Sequence, residues 1–290
     1  MIKKTFLILM TLGMFSSCEF SKQDQIVAKK VEQNEKYKID RDTYSSKDKD
    51  SRIKYIILHY TAINDEQSKR ALTERGVSSH YLITSKAEEA ILGLVPERER
   101  AWHAGISYFK GRTNINDSSI GIEIVNLGLD KKKLNSSKIK YRFIPKEYYL
   151  PYTDEQIEKT AFLLKKLVDK YGIEPKHILG HSDIAPGRKP DPGPMFPWKE
   201  LYENYGLGAW YDKKDVEEFY DPDFAEKYSV KEIKDEFLKY GYDMTENDEW
   251  DNKSIQIVQA FQAHFNSDNI TGVVDAKTFA IIRALNKKYK

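Results

Sequence analysis

The 290-residue chain has a single cysteine, Cys18. No disulfide can close within it, so the fold must stand on an apolar core or on a bound metal. Excess charge of either sign is also missing: 47 Lys and Arg against 45 Asp and Glu leave a formal charge of +2. Removing residues 1–17, which hold two lysines and no acid, would bring that to about 0 (2 − 2). A neutral chain without a basic stripe argues against nucleic acid as a partner. The apolar run from Phe6 to Phe15 is too short to span a bilayer. It follows Lys3 and Lys4 and precedes small residues, which is the pattern of a secretory signal. From Glu19 to Ser51 aromatics are sparse and charge is dense, so this segment cannot bury enough surface to fold and reads as a tether. A loose coil of that length reaches roughly 30 Å on average and about 110 Å fully extended.

Against these absences, three distant segments carry chemistry. They are ILHYTA around His59, GIEIVN around Glu123, and LGHSDIAPGRKPDPGP from Leu179 to Pro194. A catalytic zinc takes three His or carboxylate ligands and keeps a fourth position open for water, a count that His59, His181 and Asp191 supply. Each His closes a short β-branched run, where a buried strand meets the surface. Between His181 and Asp191 the PGR and PDPGP turns predict a stiff loop that folds Asp191 back. Glu123 lies in an apolar strand, where a carboxylate is costly without a purpose, and is the candidate general base. Lys189 is the candidate for stabilising an oxyanion.

With AWHAG at Ala101–Gly105 and SSHY at Ser78–Tyr81, these segments resemble the zinc-dependent N-acetylmuramoyl-L-alanine amidases of the type 2 amidase, or peptidoglycan-recognition, fold, and within them the lipoprotein amidases of the AmiD kind. The resemblance covers roughly Ile53 to Trp198. It implies His59, His181 and Asp191 as zinc ligands, Glu123 as acid and base, and Lys189 as oxyanion stabiliser. The implied reaction is hydrolysis of the bond between N-acetylmuramic acid and L-alanine in peptidoglycan or muropeptides. A non-catalytic peptidoglycan-binding protein and a zinc peptidase acting on stem peptides are the alternatives. His103 and Arg188 are candidate substrate-binding residues, each with a plain structural alternative. Asp183 either orients an imidazole or caps a turn. His80 is expected to bond within the fold, and His177 and His264 to be structural or exposed.

FSSC resembles a bacterial lipobox, implying lipidation of Cys18 and an exported lipoprotein on the periplasmic face, expected at the outer membrane. The expected fold is α/β, a mixed central sheet flanked by helices, plus a small all-α three-helix C-terminal domain. The boundaries are 1–17 signal, 18–51 tether, 52–209 catalytic domain, 210–228 connector and 229–290 C-terminal domain. Residues 131–149 read as an insertion. A capping box at Thr153–Gln156 opens a helix that Gly172 ends, with Ile157, Ala161, Leu164, Val168 and Tyr171 on one stripe. Ser229–Glu232 opens another, ending at Gly241. IVQAFQAHF and ITGVVDAKTFAIIRAL resemble a peptidoglycan-binding domain, a second attachment to an insoluble substrate. A monomer is expected.

Overall fold

The structure is a computed structural model that describes residues 39–136 and 144–289. The expected signal peptide, Cys18 with its lipidation, most of the tether and residues 137–143 of the insertion lie outside these. Residues 39–50 are exposed and carry no helix or strand. Among the described residues no helix is long and apolar enough to cross a membrane.

Ser51–Lys290 form one compact unit. In chain order it runs β1 (Tyr55–Tyr60), α1 (Asp65–Glu74), β2 (Tyr81–Ile83), β3 (Leu92–Gly93), β4 (Tyr108–Phe109), β5 (Arg112–Thr113) and β6 (Ser119–Ile124). Then come α2 (Lys131–Ser136), α3 (Asp154–Tyr171), β7 (Ile178–Gly180), α4 (His181–Ile184) and α5 (Trp198–Tyr205). The last part is helical: α6 (Lys213–Phe219), α7 (Phe224–Lys227), α8 (Val230–Tyr240), α9 (Asn252–Phe265) and α10 (Ala276–Lys288). Five strands form a sheet in the order β3-β2-β6-β1-β7, in which only the β2–β3 pairing is antiparallel. This is the expected mixed central sheet.

The near-continuous apolar run of β1 suits a central strand covered on both faces. Side chains alternate along it, so Ile56 and Leu58 join Ile120, Ile122 and Ile124 of β6 under α3. The capping box of α3 is formed, with Thr153 Oγ1 accepting from Gln156 N at 3.2 Å, and Gly172 ends the helix with φ 66°. Its stripe buries Ile157, Ala161, Leu164 and Leu167 on the sheet. Tyr55 and Ile57 face the other way and share a core with Phe237, Phe261 and Phe265 of α8 and α9. That alternation turns His59 and Glu123 towards the face on which the helical region docks.

Helices α8, α9 and α10 are the three expected of the C-terminal domain. Residues 210–228, expected as a connector, carry α6 and α7. Phe224 is buried and stacks on Phe279 with centroids 5.1 Å apart, and Trp210 and Tyr228 pack on the same core. The segment's aromatics supply the apolar surface.

Candidate active site

His59, one residue from the end of β1, stands directly opposite Glu123 of the parallel strand β6. On the other side Leu58 pairs with Gly180, so His181 opens α4 one step beyond the end of β7. The loop after α4 folds back as its turns predict. Ser182 N donates to Asp191 O at 2.8 Å, and Tyr152 Oη donates to Pro192 O at 2.7 Å.

Three ligand-type atoms therefore converge. His59 Nδ1 lies 2.9 Å from His181 Nδ1 and 2.9 Å from Asp191 Oδ2, and His181 Nδ1 lies 3.0 Å from the same oxygen. All three residues are buried. The outer nitrogens fix which atoms are bare. His181 Nε2 is 3.0 Å from the Ala104 carbonyl oxygen, which only accepts, so the hydrogen sits on Nε2 and the Nδ1 lone pair faces inward. His59 Nε2 is 3.0 Å from His103 Nδ1, and His103 Nε2 is 3.2 Å from Ser119 Oγ. Where His59 Nε2 donates to His103 Nδ1 and His103 Nε2 donates to Ser119 Oγ, His59 Nδ1 is bare as well. Two imidazole lone pairs and a carboxylate oxygen then point at one another, an arrangement that a cation satisfies.

Electrostatics agree with that reading. Burial, then the neighbouring His181, push the His59 imidazole down to about 4, so it stays neutral at physiological pH. Burial alone would raise the Asp191 carboxyl, but His181 and His59 hold it well below the usual carboxylate range. Burial first, and Asp191 second, push the Glu123 carboxyl up to about 8, with Lys189 opposing. Among the described residues Glu123 Oε2 is buried without a hydrogen-bond partner. Glu123, Lys189 and the three cluster residues line one cleft of about 410 Å³.

Other candidates stand around it. His103, read as a substrate residue, lines the same cleft and is buried against His59, with its backbone N donating to Asn116 Oδ1 at 3.1 Å. Arg188, also read so, borders the cleft but donates from Nη2 to the Ala104 and Ile106 carbonyls, both at 2.7 Å. It clamps the loop that accepts from His181. His80 bonds within the fold: its Nδ1 accepts from Gly121 N at 3.0 Å. His177 is buried against Tyr55. Asp183 caps the turn at Gly180 and orients the imidazole of His264, which lies outside the three-residue cluster. Its Oδ2 accepts from His264 Nδ1 at 2.8 Å and from Gly180 N at 2.7 Å, and its Oδ1 accepts from Tyr242 Oη at 2.7 Å. Trp102, 54% exposed on the cleft rim beneath the Arg100 guanidinium, went unread. An aromatic beside a candidate His was its available signal.

Sheet, cluster, raised carboxyl and neighbouring ammonium define a hydrolytic enzyme with a three-donor cation cluster in an α/β crevice. The family model described as N-acetylmuramoyl-L-alanine amidase matches residues 49–194, and one described as a peptidoglycan binding domain matches 226–282. The chain belongs to the N-acetylmuramoyl-L-alanine amidase family. It is 40% identical over 245 residues to the N-acetylmuramoyl-L-alanine amidase AmiD of Escherichia coli K12, covering 82% of this chain and 84% of that one. The solved complex of E. coli AmiD with anhydro-N-acetylmuramic acid-L-Ala-D-γ-Glu-L-Lys superposes with a TM-score of 0.76 at 36% identity, covering 87% and 95% of the two chains. AmpDh3 of Pseudomonas aeruginosa in complex with an anhydromuramic pentapeptide gives 0.76 at 37% identity, covering 87% and 98%.

Proposed function

We propose that the protein hydrolyses the amide bond between the lactyl group of N-acetylmuramic acid and L-alanine in peptidoglycan or muropeptides, with zinc held by His59 Nδ1, His181 Nδ1 and Asp191 Oδ2. The observation that carries this reading is the convergence of two bare Nδ1 atoms and a carboxylate beside a buried, unpartnered Glu123 oxygen. Its substrate class follows from the family and from the muramoyl peptides bound by its relatives, one of which carries a γ-linked D-Glu and another five residues.

Zinc in this cluster would lower the pKa of its water to about 7 and polarise the scissile carbonyl. The rest falls to the chain itself. Glu123 receives the proton of the attacking water at its free carboxylate oxygen and delivers it to the departing alanine nitrogen. A neighbouring cation draws its raised pKa back down, so that it starts as a base. The Lys189 ammonium faces the oxyanion, a contribution of about 3 kcal/mol for one well-placed donor. His103 and Ala104 O keep both imidazoles in the ligating tautomer. The Arg188 Nη1 end is available to a stem-peptide carboxylate.

We read the full chain as an exported lipoprotein on the periplasmic face, held to the membrane through Cys18 and acting as a monomer. The charged start, short apolar run and FSSC sequence support the export and the anchoring.

The test is mass spectrometry of products from defined muropeptides, using a soluble form beginning near Gln25, with a chelator and with zinc added back. Free stem peptide beginning at L-alanine, lost on chelation and restored by zinc, is the expected result. Intact muropeptides, or cuts inside the stem, would overturn it.

A further inference from the structure

A second groove, of about 450 Å³, lies between the loop after α4 and helix α9. It meets the catalytic cleft along a shared ridge made by Arg188, Lys189 and Pro190. Its far wall comes from the C-terminal domain. Asn252, Gln256 and Gln259 stand at i, i+4 and i+7 on one side of α9, a row about 10 Å long. Their side-chain amides make no hydrogen bond to the described residues. Small side chains, Ala260 and Ala263, leave the floor open. Among the described residues lining it none is acidic, and two cations stand at the catalytic end.

Contact between the two walls is tight. A Cβ on Gly187 would lie 2.2 Å from Gln256 Cδ, at the movable end of that side chain, and Gly187 has φ 73°, so the backbone conformation calls for glycine there. The loop that carries Lys189 and Asp191 is thus shaped against the amide row.

We propose that this groove takes the stem peptide beyond its L-alanine, with the amides of Asn252, Gln256 and Gln259 pairing to peptide N–H and C=O groups. The proposal rests on the amidase reading. Charge and length argue for this occupant. A γ-linked D-Glu leaves its α-carboxylate free, so the stem is anionic and suits an acid-free groove with cations at its entrance. Five extended residues span about 17 Å, enough to leave the cleft, cross the ridge and run along the amide row. A neutral glycan strand has no such charge match. In this arrangement α9 is a wall of the substrate site, and the C-terminal domain grades substrates by peptide length.

The experiment compares kcat/KM of the full soluble chain for a muramoyl dipeptide and a muramoyl pentapeptide, each with γ-linked D-Glu where that residue is present. It uses the zinc-loaded wild type and the triple variant Asn252→Ala, Gln256→Ala, Gln259→Ala. In the variant the pentapeptide loses about tenfold or more while the dipeptide changes less than about twofold. The dipeptide rate also certifies that the variant is folded. Equal loss on both substrates, or no loss on either, overturns the groove assignment while leaving the amidase intact. A wild type that cleaves neither substrate overturns the amidase reading and this inference with it.

Discussion

A methyl group on Gly121 would lie 2.5 Å from His103 Cγ and 2.8 Å from His103 Nδ1. Carbon atoms pack at about 3.5 Å or more, so the Gly121→Ala variant must drive the imidazole back by roughly 1 Å. His103 has little room to yield. It is buried, the His80 ring stands 5.8 Å away centre to centre, and Asn116 holds its backbone. A shift of that size stretches the 3.0 Å contact between His59 Nε2 and His103 Nδ1 beyond hydrogen-bonding length. Overpacking of this kind costs about 1–3 kcal/mol, and loss of a ligand's outer hydrogen bond weakens metal binding about 10–100-fold. Two measurements separate these effects: thermal unfolding of the metal-free protein, and zinc affinity by competition with a chelator. Both should fall in Gly121→Ala. A variant that melts lower yet binds zinc with unchanged affinity would refute the view that His103 sets the tautomer of His59.

Three further outcomes are expected. Glu123→Gln should retain zinc in the same chelator competition yet lose about 10²–10⁴-fold in kcat, and a smaller loss would remove Glu123 from proton transfer. Burial depresses the His177 imidazole to about 4 from an ordinary 6.5, so the unfolded chain takes up its proton first as pH falls. Stability contributed by neutral His177 is present above about 6.5 and declines between 6.5 and 4, and melting temperatures of His177→Gln should fall less steeply across that window. The Lys234 ammonium is enclosed, donating to Thr245 Oγ1 at 2.6 Å, Asn247 O at 2.9 Å and Glu249 O at 3.0 Å. Lys234→Met strands those acceptors and should cost at least about 2 kcal/mol in denaturant unfolding, and an unchanged midpoint would deny the ammonium its structural role.

What the sequence made legible was whatever announces itself locally. His59 and His181 each end an apolar run, and the proline-rich loop signals its own fold-back, so the cluster could be assembled on paper before any coordinate. The capping boxes at Thr153 and Ser229 fall where expected because their donors and acceptors are three residues apart. The role of His103 was not readable in this way: its partners His59 and Ser119 sit 44 and 16 residues away, with no periodicity to link them. The Asp183 contacts reach across 59 and 81 residues to Tyr242 and His264. A pattern of hydrophobic spacing specifies that a helix buries a face, but not which carboxylate that face will meet. The connector at 210–228 gave no local sign of its burial either, since Phe224 meets Phe279, 55 residues away.

The grip of Tyr242 and His264 on Asp183, two residues from His181, has a practical consequence for how the chain can be cut. Its helical half shares one apolar core with the sheet, through Tyr55, Ile57 and Leu179 against Phe237, Phe261 and Phe265. A protease nick or a stop codon near residue 210 would therefore strip a wall from the hydrophobic interior and leave a fully buried carboxylate without two of its donors. The shared core predicts that the two halves unfold together, and that an active fragment is not recoverable by simple truncation.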